Sequence, residues 1–248
     1  AEEKDKSTAR TKARRLRDAK SREFLNIERG NVEGLIHGNC IDILKSMEDE
    51  SVDLILCDPP YGINFEEKSR NEKYNTVYGD DFTDTKFAVR DLLGEIMLDL
   101  RRVLRPGGHM YLFFALQHYQ MVDLELAVNF GPGQGKSGGY QYQPTPNIWV
   151  KSSNENYKPY HRFCVNYEVF FFAWKGDMRE FTKPSNCTMH FDIDRKKEDR
   201  QHPAQKPQAL YEHLIEMSSH KEMVVLDPFL GSGISLAVAK RMGRNIIG

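Results

Sequence analysis

The chain has only four cysteines in 248 residues, Cys40, Cys57, Cys164 and Cys187, and no two of them form a Cys-x-x-Cys pair. Their spacing argues against both a zinc site and a disulfide framework. There is no signal-like start and no uninterrupted apolar run long enough to span a bilayer, which makes the cytoplasm the expected compartment. Neither sign of charge is in excess. The formal net charge is -1 and the pI is near 6.8, so any nucleic-acid surface must be a local patch. With 40% hydrophobic and 29% charged residues, the composition suits one large globular domain with a substantial core.

What is present is organised around Asp58-Pro59-Pro60-Tyr61. The run Val52-Asp53-Leu54-Ile55-Leu56-Cys57 before it reads as a buried strand. The four residues therefore emerge at a strand's carboxyl end, where open α/β sheets bind ligands. Two consecutive prolines remove two backbone donors and leave the carbonyls of Asp58 and Pro59 without local partners. With a carboxylate and a phenol ring beside them, the corner offers acceptors and a flat stacking surface, which suits an amino group on a planar heterocycle. A proline-rich turn after a strand is the plainer reading of the same four residues.

Residues 1 to 22 hold nine Lys or Arg against four acids. Residues 1–30 are thus a basic arm, either a solvated extension or a segment touching phosphates. The main domain spans 31–248. It starts with a short strand, Gly34 to Gly38, and a small helix carrying Ile41, Leu44 and Met47. Residues 62–82 are polar with scattered aromatics and read as a lid or a surface loop. From Lys86, Val89, Leu93, Ile96, Met97, Leu100 and Val103 recur at helical spacing until Pro106-Gly107-Gly108. Strands follow at His109 to Ala115, Asn147 to Val150 and Tyr167 to Trp174, with a glycine-rich connection from Gly131 to Gly139 between the first two. Gly135-Lys136-Ser137 lacks the earlier glycine that a Walker phosphate loop needs.

Residues 176–201 mix Lys and Arg with six acids and read as polar, irregular surface. His202-Pro203-Ala204-Gln205-Lys206-Pro207 introduces a helix, with Pro207 in its first turn. Val224-Val225-Leu226 then runs into Asp227-Pro228-Phe229-Leu230-Gly231-Ser232-Gly233, a strand, a glycine turn and a helix start. Such a turn lets backbone amides approach a ligand, and the helix amino end favours an anionic group such as an amino-acid carboxylate. Asn245 to Gly248 makes a last strand. Seven strands with helices between most of them indicate an α/β fold, a doubly wound and mostly parallel seven-stranded sheet.

Asp58-Pro59-Pro60-Tyr61-Gly62, His202-Pro203-Ala204-Gln205-Lys206-Pro207 and Asp227-Pro228-Phe229-Leu230-Gly231-Ser232-Gly233 resemble the motifs of DNA amino-methyltransferases, which use S-adenosylmethionine. The resemblance runs from about Leu35 to Gly248. Because the Asp58 motif precedes the glycine turn, the chain looks like the circularly permuted β-group with its Rossmann-like sheet. The resemblance implies that Asp58, Pro59, Pro60 and Tyr61 hold the target base. It assigns the cofactor to Asn39, Cys40, Lys206, Pro207, Asp227, Pro228, Phe229, Gly231, Ser232 and Gly233. DNA is the implied partner, possible alongside a homodimer or second subunit. The implied setting is restriction-modification in a bacterial or phage-infected cell.

Aspartate at the first motif position resembles adenine-N6 enzymes more than cytosine-N4 enzymes. RNA methylation, protein glutamine methylation and non-catalytic DNA binding are the alternatives. Residues 176–201 resemble a short target-recognition insertion, and His161 and Arg162 are candidate phosphate contacts. Two departures stand out. The family usually has an acid where this chain has Asn39, which implies weaker cofactor affinity. Its ribose-binding acid follows the last strand, beyond Gly248, so either it lies further along or that contact is absent.

Overall fold

The computed structural model describes residues 34–62, 85–132, 139–151, 165–184, 186, 188–191 (backbone only) and 206–248. The basic arm, nearly all of the 62–82 segment, His161, Arg162, Cys164, Cys187, most of 185–201 and His202 to Gln205 lie outside them.

Seven strands form one sheet: β1 (Val52–Cys57), β2 (Leu104–Phe114), β3 (Tyr142–Lys151), β4 (Tyr167–Trp174), β5 (Thr188–Phe191), β6 (Val224–Leu226) and β7 (Asn245–Ile247). Their order across the sheet is β5-β3-β4-β2-β1-β6-β7. Only β4 runs against the others, pairing antiparallel with β2 and β3. The doubly wound, mostly parallel arrangement expected from the sequence is present, although two strands differ. Gly34 to Gly38 is not a strand. It makes only two backbone hydrogen bonds with Gly248, Gly248 N–H to Gly34 O and Ile36 N–H to Gly248 O, and Gly34 has φ of 89°, outside the extended region a strand needs. The seventh strand is instead β5, inside the segment read as irregular surface, where it pairs with β3 from Ile148↔Thr188 to Lys151↔Phe191.

Side-chain parity places the two layers. Ile55 and Cys57 of β1, Met110, Leu112 and Phe114 of β2, and Val169, Phe171 and Ala173 of β4 face one core. Leu54 and Leu56, Tyr111 and Phe113, and Phe170 and Phe172 face the other. The first face is covered by α1 (Cys40–Ser46), α2 (Lys86–Val103) and α3 (Tyr119–Phe130), the second by α4 (Gln208–Ser218) and α5 (Ile234–Arg241). Helix α2 forms where the apolar spacing demands it: Val89, Leu93, Ile96, Met97, Leu100 and Val103 are all buried, and the Thr85 hydroxyl caps it by accepting from Ala88 N–H at 3.3 Å. Each such side chain contributes about 1.5–3 kcal/mol by leaving water. Helix α3 was not anticipated. Pro207 occupies the N-cap of α4 and not its first turn, its carbonyl accepting from Leu210 N–H at 3.1 Å.

The strands that follow β1 in the chain, β2 to β5, all lie on one side of it, and the chain then returns to the other side of β1 for β6 and β7. The direction of winding therefore reverses between β1 and β6, and a crevice opens outside their carboxyl ends. Asp58 follows β1 and Asp227 follows β6, so the two motifs flank this crevice.

Candidate active site at the switch point

Asp58 shares a face with Leu54 and Leu56, and its side chain turns toward the α4 layer. There its Oδ2 accepts a hydrogen bond from Lys206 Nζ at 2.6 Å. The same ammonium donates to the Tyr61 hydroxyl at 3.0 Å and lies 3.3 Å from Glu168 Oε2. Three acceptors thus meet its three protons. Tyr61 passes the contact on by donating to Glu168 Oε2 at 3.2 Å, and Glu168 Oε1 pairs with Lys151 Nζ at 2.6 Å. The Lys206 ammonium also stands over the Phe113 ring at 4.6 Å and the Tyr61 ring at 5.2 Å, where the π faces favour a cation.

Lys206 is 4% exposed and Asp58 22%, so the cation is buried and the carboxylate keeps an edge toward the crevice. Burial pushes the Asp58 carboxyl above the ordinary aspartate value, and Lys206 pulls against that rise. Burial would lower Lys206, but Asp58 and Glu168 outweigh it and hold the ammonium above ordinary lysine. Burial also opposes ionisation of Glu168, yet Lys206 and Lys151 hold it down at about 2. Tyr61 is driven well up by burial and the two neighbouring carboxylates, so it remains a phenol.

Pro59 is buried and Pro60 half-buried beside the Asp58 carboxylate. Together with Tyr61, they wall a small apolar pocket that reaches Phe114, His118 and Val122. The hydroxyl of Tyr61 is tied into the ionic network, which fixes its ring.

Across the crevice, Asp227 is 1% exposed and shapes its own turn. Its Oδ1 accepts from Phe229 N–H at 3.1 Å, and its other oxygen accepts from the Ser235 hydroxyl in α5. Burial raises Asp227 to about 7 against these two bonds. Phe229 packs on the first core, while Pro228 and Ser232 are half-buried. Gly231 and Gly233 have φ of 53° and 76°, the left-handed region that glycine tolerates. A Cβ at Gly233 would meet nothing within 4 Å, and one at Gly231 only Phe229 O at 3.8 Å. The turn is therefore an open cradle at the head of α5, where backbone N–H groups lack intrahelical partners.

Asn39 caps α1, its Oδ1 accepting from Ile41 N–H at 2.9 Å. The side chain that the resemblance assigns to the cofactor is thus engaged by the helix. Cys40 is half-buried and Cys57 fully buried, close enough that their charges would repel. Burial raises both thiols, which leaves them weak nucleophiles. Of the residues expected to form one site, Asp58, Tyr61 and Lys206 are in direct contact, and the Asp227 turn follows the strand paired with β1. Sequence reasoning missed Glu168 and Lys151. Glu168 is the only charge in Tyr167–Trp174 and has the parity of Phe170 and Phe172, a signal for a buried acid that needs a cation.

The start of the 176–201 segment lies elsewhere. Arg179 donates to Ser218 O at 2.6 Å, its carbonyl meets His109 Nε2 at 2.9 Å, and Phe181 packs on His109 and Phe172. His109 pairs with Leu54 near the amino end of β1, and Gly107 faces Asp177 and Arg179, so this stretch borders the end of the sheet opposite Asp58 and is less irregular than its composition implies. Among the described residues no group of three or more His, Cys, Asp or Glu could hold a metal, and no helix is long and apolar enough to cross a membrane.

A family model described as DNA methylase matches residues 52–248. The chain is 30% identical over 227 residues to the Type II methyltransferase M.HpaI of Haemophilus parainfluenzae, an alignment covering 86% of this chain and 68% of that protein. Its fold is similar to the M1.HpyAVI–SAM complex, with a TM-score of 0.62 and 22% identity over 87% of this chain and 91% of that one. It is also similar to the PvuII DNA methyltransferase, named cytosine-N4-specific, with a TM-score of 0.64 and 16% identity over 86% and 79%. The open cradle at Gly231 and Gly233, facing the Asp58 corner across one crevice, fits the S-adenosylmethionine that this family uses. The chain belongs to the DNA methylase family.

Proposed function

We propose that this protein methylates the exocyclic N6 amino group of adenine in DNA. The observation that carries the reading is the juxtaposition, at the β1/β6 switch point, of an acceptor corner at Asp58 with the open glycine turn after Asp227. Asn39, Cys40, Lys206, Pro207, Asp227, Pro228, Phe229, Gly231, Ser232 and Gly233 are the residues that would hold S-adenosylmethionine. When bound, that cofactor supplies a methyl group on a cationic sulfur.

An aromatic amine is a poor nucleophile because its lone pair is delocalised into the ring. Asp58 and the Pro59 carbonyl accept its hydrogens and let the nitrogen pyramidalise. As the new N–C bond formed, the methyl–sulfur bond would break with its electron pair returning to sulfur, and the nitrogen would shed a proton, for which Asp58 is the placed acceptor. Lys206 steadies that carboxylate through its 2.6 Å hydrogen bond to Oδ2. No thiol or hydroxyl nucleophile is needed, because the reaction calls for positioning and not for a covalent enzyme intermediate.

The acceptor corner follows a buried strand, so a base in a duplex cannot reach it without leaving the stack. Flipping costs a few kcal/mol, and stacking on a fixed aromatic ring such as Tyr61 returns about 1–3 kcal/mol. Cytosine-N4 methylation is the second reading, favoured by the fold shared with the PvuII enzyme. Aspartate at position 58 favours adenine. Nucleoside mass spectrometry of unmethylated DNA incubated with the protein and S-adenosylmethionine decides between them: N6-methyladenine supports the proposal, and N4-methylcytosine replaces it.

A further inference from the structure

We infer that Glu168 is a positioning residue for this site, acting through Lys206 to hold Asp58 in place and to balance the charge of the crevice. Its role as a methyl-transfer element rests on the function proposed above. The ionic chain contains two carboxylates, Asp58 and Glu168, and two ammonium groups, Lys206 and Lys151, joined in the order Asp58, Lys206, Glu168, Lys151 by contacts of 2.6, 3.3 and 2.6 Å. These residues come from the end of β1, the residue before Pro207, β4 and the end of β3, so the chain of charges ties the motif to two strands beyond its neighbour β2.

Lys206 stands beside a crevice that must admit a cationic sulfonium, and with Asp58 as its one partner it would draw on the whole of that carboxylate's charge. Glu168 shares the ammonium and frees part of the Asp58 charge, and with Lys151 the four groups sum to zero. Tyr61 links Lys206 to Glu168 a second time, with Tyr211, Asp227 and Cys57 as the other titratable groups within the field of these charges.

Charge balance makes a prediction of sign that a packing role does not. Glu168→Gln keeps the shape and leaves the four-residue network at +1. Lys151→Met leaves it at -1, with a smaller effect because Lys151 is 33% exposed. The test is isothermal titration of the full chain with S-adenosylmethionine, a cation at sulfur, and separately with neutral S-adenosylhomocysteine. Glu168→Gln should weaken the first relative to the second by roughly tenfold, and Lys151→Met should move the ratio the other way.

The pH dependence of single-turnover methyl transfer to DNA is the second readout. Glu168 raises Asp58, so its neutralisation should move the acid limb to lower pH while the plateau rate falls roughly tenfold. With the fold intact by circular dichroism, an unchanged cofactor ratio and an unmoved acid limb would overturn the assignment. If Glu168→Gln does not fold, the sign of the Lys151→Met effect decides alone. The binding comparison needs neither DNA nor turnover. A wild-type protein inactive on DNA would overturn the proposed function while the cofactor ratio still judged Glu168.

Discussion

Lys206 Nζ lies 2.6 Å from Asp58 Oδ2 and is shared with Glu168, so one buried cation joins β1 to β4, two places away in the sheet. Lys206→Met would leave two carboxylates facing each other without their common partner. Removing one member of such a group costs about 3–5 kcal/mol, toward the lower figure here because Asp58 keeps some solvent contact. Urea denaturation would measure the loss, and methyl transfer should fall with it.

Gly62 closes the Asp58 motif with φ of 65°, and a Cβ there would come within 3.0 Å of Lys86 Cα and N and of Thr85 C. These are backbone atoms at the head of α2, which cannot step aside as a flexible side chain would. Gly62→Ala should cost about 2 kcal/mol or more, from the left-handed backbone and the contact together. A lowered melting temperature is the expected readout.

Two buried groups give opposite dependences of stability on pH. Burial, with a smaller contribution from Arg179, lowers His109 from 6.5 to about 4. The unfolded chain therefore binds the extra proton between those values, and stability falls as pH drops from 6.5 toward 4. Asp227 is raised from 3.8 to about 7, so the folded chain binds the extra proton and stability rises as pH drops from 7 toward 3.8. Each contribution is on the order of 3–4 kcal/mol, and they offset each other over the shared range. Asp227→Asn should uncover the His109 dependence. Its denaturation midpoint should decline between pH 6.5 and 4 more steeply than that of the wild type.

Asn39 caps α1 through Oδ1. Asn39→Asp keeps an acceptor for Ile41 N–H and adds a negative charge at a helix amino end, where it is favoured by about 0.3–1 kcal/mol. It also restores the acid usual in the family beside the cofactor crevice. Titration calorimetry should show tighter S-adenosylmethionine binding, whereas Asn39→Ala should lose the cap and about 1 kcal/mol of stability.

The sheet was legible wherever burial wrote a clear pattern. The apolar run from Val52 to Cys57 and the helical spacing from Val89 to Val103 lie where their periodicity indicates. Helix α3 escaped because Tyr119–Phe130 is apolar on more than one side, leaving Leu124 and Val128 exposed and no single stripe to detect. Strand β5 has four residues in charged surroundings, too few for alternation to show. Within the site, the motif residues could be read directly from the chain. The ionic network could not, because Tyr61 and Glu168 are 107 residues apart and Asp58 and Lys206 are 148. Sequence separation hides such pairs until the sheet order is known.

The most direct test of the central claim is transfer of a labelled methyl group from S-adenosylmethionine to unmethylated DNA by the wild type and by Asp58→Ala. Circular dichroism and cofactor binding would be measured on both proteins. Label should enter wild-type reactions as N6-methyladenine and fall by at least about a hundredfold in Asp58→Ala, with the fold retained and S-adenosylmethionine supplied at a concentration that saturates both proteins. Transfer at the wild-type rate by Asp58→Ala would contradict the role assigned to the carboxylate. Absence of label from wild-type reactions would contradict the proposed reaction itself.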